Sequence, residues 1–171
     1  KQKTAYEISA RDWSSDVCSS DLANLTGAVL SSQKNFTVVD ACALTSTGCN
    51  NIFIGSGAGR YTTFGKYNFF AGQCAGMCNI AGGCNINIGQ FSGIFSTGGY
   101  NNVNLGYGTG AYTTTACQNI NLGYVAGLKT TTGGCNLFFG TGAGFNNTTG
   151  CLNIAFGNFA LCCNQTRSEE H

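Results

Sequence analysis

Residues 51–59 read Asn-Ile-Phe-Ile-Gly-Ser-Gly-Ala-Gly, and the pattern of this stretch recurs every 17 residues along the chain. The leading asparagine recurs as Asn51, Asn68, Asn85, Asn102, Asn119, Asn136 and Asn153. The first glycine recurs as Gly55, Gly72, Gly89, Gly106, Gly123, Gly140 and Gly157. Self-similarity at a fixed period is the signature of a repeat architecture, so this pattern decides the fold.

The apolar residues of each unit alternate along a short stretch. If the asparagine is numbered position 0, positions 1 and 3 are apolar in every unit, as in Ile52 and Ile54, whereas position 2 varies from Phe53 to Asn87. This alternation predicts a half-buried strand with positions 1 and 3 in the core and position 2 outside. Position 7 is small and position 9 is mostly apolar, which predicts a second short strand after a bend at the position 4 glycine.

One unit cannot bury its apolar side alone, but stacked units can, each adding a strand to a parallel sheet. A helical solenoid is excluded by the glycine content, because glycine costs roughly 1 kcal/mol at each helical site. The sequence therefore predicts an all-β chain whose residues 51–166 form a parallel β-solenoid or β-roll of seven coils. Coils that stack at ~4.8 Å would make a rod on the order of 34 Å long.

The two invariant columns have structural interpretations. Identical amides in successive coils can form an asparagine ladder, and the glycines allow the backbone to bend. Residues 23–50 are interpreted as a degenerate lead-in coil or cap, because residues 35–39 resemble the start of a repeat but are displaced by one residue and lack the glycine. Terminal repeats are usually atypical.

The composition of residues 23–166 argues against catalysis. This stretch has no His and no Glu, and its single carboxylate is Asp40. General acid–base chemistry and Ser-His-Asp or Cys-His arrangements need groups that it lacks. The sequence therefore predicts no enzyme, and it indicates no cofactor and no metal site. Basic residues are too few for nucleic acid, and no run of about 18 apolar residues predicts a membrane span.

Three cysteines lie near one bend of successive units. Cys117 and Cys151 hold position 15, and Cys135 holds position 16. Coils ~4.8 Å apart are within reach of a disulfide, so Cys135–Cys151 or Cys117–Cys135 could be bridged. The alternative is that these residues are reduced and act as small apolar fillers.

A threonine column suggests a second kind of function. Position 12 is Thr in five units, and the runs at residues 113–115 and 130–132 resemble the flat threonine rows that bind ice in some solenoids. A threonine-rich bend explains the same residues. Ice binding is therefore the alternative to a structural role.

The motif Asn-apolar-x-apolar-Gly-x-x-Ala-Gly, as in residues 119–127 and 136–144, resembles repeat regions of phage and giant-virus tail-fibre-like proteins. It is distantly similar to the head β-roll of trimeric autotransporter adhesins. The resemblance implies a homotrimeric structural or adhesive fibre segment, on a virion or cell surface, with a host receptor or glycan as partner. A cyclic trimer could bury outward aromatic residues. The candidates for that interface are Phe53, Phe70, Phe138, Tyr107 and Tyr124.

Both ends of the chain have a different character. Residues 1–22 and 167–171 resemble translated sequencing adapter, so we expect them to be unstructured and foreign to the natural protein. We expect residues 23–166 to be part of a longer natural chain.

Overall fold

The computed structural model describes residues 28–30, 36–38 and 48–166, and in these residues all regular structure is β. Residues 1–22 and 167–171, interpreted above as adapter, lie outside them. Among the described residues, nine strands of three residues each form one sheet in chain order. They are β1 Ala28–Leu30, β2 Phe36–Val38, β3 Ile52–Ile54, β4 Phe69–Ala71, β5 Ile86–Ile88, β6 Val103–Leu105, β7 Ile120–Leu122, β8 Leu137–Phe139 and β9 Ile154–Phe156.

From β3 to β9 the sheet is parallel and each strand pairs with the one 17 residues later. Ile52 is opposite Phe69, and the same register continues to Leu137 opposite Ile154. Because every strand pairs with its own repeat, the chain winds as a β-solenoid of about six turns. The predicted fold class is therefore confirmed.

The lead-in segment extends the same sheet. β2 pairs in parallel with β3, with Phe36 opposite Ile52, which is one residue short of the repeat spacing. β1 then pairs antiparallel with β2, with Ala28 opposite Val38. The antiparallel strand is the first in the sheet order, so it covers the edge that β2 would otherwise leave open.

The predicted inside and outside of the strands were wrong. Position 2 is the buried one: Phe53, Phe70 and Phe138 are fully buried, whereas Ile52 and Ile54 are 39% and 37% exposed. The reason is the pleat, in which residues two apart share a face. The position 0 asparagines point inward, so position 2 must point inward as well and positions 1 and 3 must point outward.

The prediction of a second strand is also wrong, because positions 4–10 of each coil form successive turns, as residues 55–61 do in the first coil. In the first coil, φ is positive at Gly55, Gly57 and Gly59, so the backbone reverses its handedness at every second residue. The N–H groups of Ala58 and Thr62 donate to carbonyls three residues earlier, at 3.1 and 2.9 Å. Intervening N–H groups donate to the next coil, as Gly59 does to the Ala75 carbonyl at 2.9 Å.

The core between the strand and these turns is narrow. The position 8 glycine lies against the position 2 side chain of its own coil: a Cβ on Gly76 would be 2.5 Å from the Phe70 ring, and one on Gly144 would be 2.5 Å from Phe138. Only a residue without a side chain leaves room for these rings. The ring centroids of Phe53 and Phe70 are 5.5 Å apart, so the rings stack from coil to coil.

Candidate interaction surfaces

The asparagine column forms a continuous ladder inside the solenoid. All seven residues are at most 2% exposed. The Asn68 amide donates to Asn51 Oδ1 at 3.0 Å and to the Gly82 carbonyl at 2.8 Å, while its backbone N–H also donates to Asn51 Oδ1, at 2.9 Å. One side chain therefore ties two coils together and closes its own coil 14 residues downstream. These contacts direct the amide inward, where an external ligand cannot reach it.

The position 4 glycines make the bend that follows each strand. Their φ angles lie between 111° at Gly55 and 132° at Gly106, in a region that L-residues with side chains rarely adopt. They also allow close stacking, since a Cβ on Gly72 would be 2.6 Å from the Gly89 carbonyl oxygen. The glycine column is thus required twice, by the bend and by the coil spacing.

The cysteines in the described residues are thiols, so the disulfides considered for Cys117, Cys135 and Cys151 are not present there. Cys135 Sγ donates to Gln118 Oε1 at 3.3 Å, and Cys151 Sγ accepts from the Gly134 N–H at 3.3 Å. Position 16 has a left-handed backbone, with φ of 58° at Cys135, and its side chain is exposed, whereas Cys117 and Cys151 at position 15 are half-buried.

The outward side of the parallel sheet is apolar in every coil. We call it the outer sheet face. It consists of Ile52, Ile54, Phe69, Ala71, Ile86, Ile88, Val103, Leu105, Ile120, Leu122, Leu137, Phe139, Ile154 and Phe156. The cations of residues 48–166, Arg60, Lys66 and Lys129, all lie at other positions of the repeat. A flat strip of seven strands is on the order of 30 Å by 10 Å, which is comparable to the largest apolar patch on a typical monomer.

This surface was not predicted from the sequence, because its apolar side chains were expected in the core. Of the aromatic residues predicted at an interface, Phe53, Phe70 and Phe138 are instead buried within the chain. Tyr107 and Tyr124 are exposed and stack on each other, with ring centroids 5.2 Å apart. The signal that would have found the outer face is the asparagine column, because its burial fixes the direction of every neighbour in the strand.

The threonine column at position 12 is held by the backbone of the next coil. The hydroxyl of Thr114 donates to the Thr131 carbonyl at 2.9 Å, and that of Thr131 donates to the Thr148 carbonyl at 3.0 Å. Position 13 is an exposed threonine in four successive coils. These residues are Thr115, Thr132, Thr149 and Thr166.

A cavity of about 550 Å³ opens at the corner formed by positions 13, 15 and 16 of the first three coils. We call it the notch. Its walls are Phe64, Lys66 and Tyr67 on one side and Tyr100 on the other, and the small residues Ala81 and Gly83 with Cys84 lie between them. The floor is backbone, since Gly83 bridges to Tyr100 and the Cys84 N–H donates to the Lys66 carbonyl at 2.9 Å.

Two kinds of site are missing from the part of the chain that the structure describes. No three His, Cys, Asp or Glu side chains come together there as a metal site would need. Nor does that part contain a helix long and apolar enough to cross a membrane.

Compared with protein-family models, curated proteins and solved structures, the chain matches none of them.

Proposed function

We propose that the solenoid is the shaft of a self-associating structural and adhesive fibre, in which the outer sheet faces of three copies pack together. The observation that carries this proposal is the outer sheet face itself, with apolar residues at both outward positions of all seven strands. Ile86 and Ile120 are 39% and 42% exposed in the single chain. A parallel sheet normally has both faces covered, and none of the residues that the structure describes covers this face.

The size of the face supports association of copies. At ~25 cal/mol per Å², burying a strip on the order of 300 Å² contributes roughly 7 kcal/mol per copy. Association costs ~4–15 kcal/mol, so a single pairwise contact is marginal. A cyclic trimer brings three such faces together on a common axis, where each contacts the other two. This is the assembly that the resemblance to tail-fibre-like proteins implies.

The chemistry of the face also favours a second copy over an unrelated partner. None of the charged residues of residues 48–166 lies on it, so identical faces meet without like-charge repulsion. The face has the same spacing along its whole length because each strand pairs 17 residues on. Parallel copies therefore match each other coil by coil, as a fibre on a virion or cell surface requires.

Light scattering after size-exclusion chromatography tests this proposal. We expect the wild-type chain to elute at three times its monomer mass at micromolar concentration. The double variant Ile86→Lys with Ile120→Lys should elute as a monomer, because it places charges at the centre of the face. Tyr112→Lys is the matched control: Tyr112 is 46% exposed on another side of the coil, so its mass should stay trimeric. A wild-type monomer would reject the proposal.

Ice binding is the second candidate, and the exposed row of Thr115, Thr132, Thr149 and Thr166 favours it. These hydroxyls repeat once per coil on a backbone that the ladders hold rigid. Thermal hysteresis of a solution of the protein measures this activity directly. Hysteresis that is lost in Thr132→Leu would support ice binding, and its absence in the wild-type protein would remove this candidate.

A further inference from the structure

We infer that the notch binds one acidic sugar residue, held by its aromatic walls and by the ammonium group of Lys66. This inference deepens the adhesive part of the proposed function and names its ligand class. The notch is built within one chain, so binding there does not depend on the oligomeric state. Its volume of about 550 Å³ falls within the range of small-molecule sites, ~300–1,000 Å³.

The notch exists because small residues stand beside large ones at this corner. At position 13, Phe64 of the first coil is followed by Ala81 and then by a glycine, and at position 15 Gly83 lies between Lys66 and Tyr100. The small residues leave a depression bordered by the larger side chains. The absence of a side chain at Gly83 also leaves room for the Tyr100 ring, because a Cβ on Gly83 would be 3.3 Å from two ring atoms of Tyr100.

The walls favour a ring that has both apolar faces and hydroxyl groups. Phe64, Tyr67 and Tyr100 are 64%, 61% and 47% exposed, so their rings are available to a ligand. Aromatic side chains offer a flat apolar surface, and the two phenol groups add hydrogen-bonding capacity at the rim. A sugar ring presents C–H groups that can pack on the aromatic surface and hydroxyl groups that can hydrogen-bond to the phenols.

The charge of the notch selects an acidic sugar. Lys66 is one of only three cations in residues 48–166, and this stretch contains no Asp or Glu. No carboxylate of the described residues can therefore neutralise its ammonium group. A hydrogen bond from a charged donor to a carboxylate is about twice as strong as a neutral one, so a carboxylated ring should bind better than its neutral counterpart.

Saturation-transfer NMR of the full chain tests this inference, with glucuronic acid as the probe and glucose as its neutral match. We expect glucuronic acid to bind with about tenfold higher affinity than glucose, a difference that corresponds to one added ionic contact. Lys66→Gln should weaken glucuronic acid about tenfold and leave glucose unchanged. Lys129→Gln removes the same charge from another side of the solenoid and should change neither.

A second variant tests the cavity rather than the charge. Ala81→Phe fills the notch with the residue that the first coil carries in the same column, and it should abolish binding of both sugars. Equal binding of the two sugars, no binding of either, or a loss in Lys129→Gln equal to that in Lys66→Gln would overturn the inference. None of these results bears on the trimer mass, so failure here and failure of the fibre proposal can be told apart.

Discussion

Leu161 packs against the core cluster that contains Ala155, and it stands in the column that is glycine in the other six coils. Ala155 in turn stands in the buried column that is Phe or Asn in those coils. The seventh coil has thus exchanged a large strand residue and a glycine for a small strand residue and a leucine. Leucine replaces glycine in this coil because the core has a fixed volume, which either the strand residue or the residue facing it must fill.

Moving this exchange to another coil gives the first prediction. Gly144→Leu should lower the free energy of unfolding by roughly 3 kcal/mol, because the new side chain would clash with the Phe138 ring and because the backbone at residue 144 has a positive φ. Phe138→Ala alone should cost about 3–5 kcal/mol. Combined, the two should cost less than their sum by about 2 kcal/mol, as measured by urea denaturation.

Gly98→Leu is the control for this cycle. A Cβ on Gly98 would have no neighbour closer than 3.8 Å, and Gly98 does not adopt a positive φ. Its replacement should therefore change stability by less than about 0.5 kcal/mol. Strict additivity of the Gly144 and Phe138 changes would contradict the volume exchange.

The asparagine ladder gives the second prediction. The Asn102 side chain donates to Asn85 Oδ1 and to the Ala116 carbonyl, at 3.2 and 2.7 Å, and accepts from the backbone N–H of Asn119 at 3.0 Å. Asn102→Ala leaves these buried groups without partners, so it should destabilise the chain by roughly 3 kcal/mol or more. Asn146→Ala, at a half-buried position outside the ladder, should have a much smaller effect. Similar thermal midpoints for the two variants would count against the ladder.

A second, shorter ladder gives the third prediction. Asn104 donates to Asn87 Oδ1 at 2.8 Å and accepts from the Asn121 amide at 2.7 Å, in the buried strand column. The ladder ends on two buried atoms with no hydrogen-bond partner, Asn87 Nδ2 and Asn121 Oδ1.

Asn104→Leu alone should therefore destabilise the chain by about 2 kcal/mol, because it leaves two further amides unpaired. Replacing all three asparagines by Leu removes the whole polar set at nearly constant shape, so stability should return to the wild-type value or exceed it. Thermal midpoints of the single and triple variants check this. A triple variant less stable than the single one would be inconsistent with the unpaired ladder ends.

The thiols give the fourth prediction. Burial, and secondarily the neighbouring Cys74, raises the pKa of the Cys78 thiol. Because the thiolate is the nucleophile, iodoacetamide at pH 8 should alkylate Cys78 more slowly than the exposed Cys84. Cys74→Ala removes one of the two causes and should speed the reaction at Cys78. Peptide mass mapping measures both rates, and equal rates at Cys78 and Cys84 in the folded chain would contradict this prediction.

The repeat made much of the fold predictable. The 17-residue period required a stack of identical units, and short apolar stretches with glycine excluded helices, so the β-solenoid followed. The sequence also allowed a prediction of which strand positions face the core. An asparagine ladder at Asn51 has to be buried, and burial at position 0 places Phe53 inside and Ile52 outside. The hydrophobicity of Ile52 and Ile54 outweighed this argument and led to the wrong faces.

Other features carry no clear signal in the sequence. Non-glycine residues adopt a left-handed backbone at position 16 of every complete coil, as at Tyr67 and Gln118, and Val125 does so at position 6. The type of residue does not predict this conformation, because the requirement comes from the way each coil closes against its neighbours. The notch likewise depends on which side chains of three successive coils meet at one corner, and no single column of the repeat contains all of them.

The central claim, that copies bury the outer sheet face between them, is tested most directly by isoleucine methyl NMR with a soluble paramagnetic probe. In the single chain Ile86, Ile120 and Ile80 are exposed to similar extents, 39%, 42% and 47%, but only Ile80 lies off the face. We predict strong paramagnetic relaxation of the Ile80 methyl groups and protection of those of Ile86 and Ile120. Equal relaxation of all three would contradict the claim.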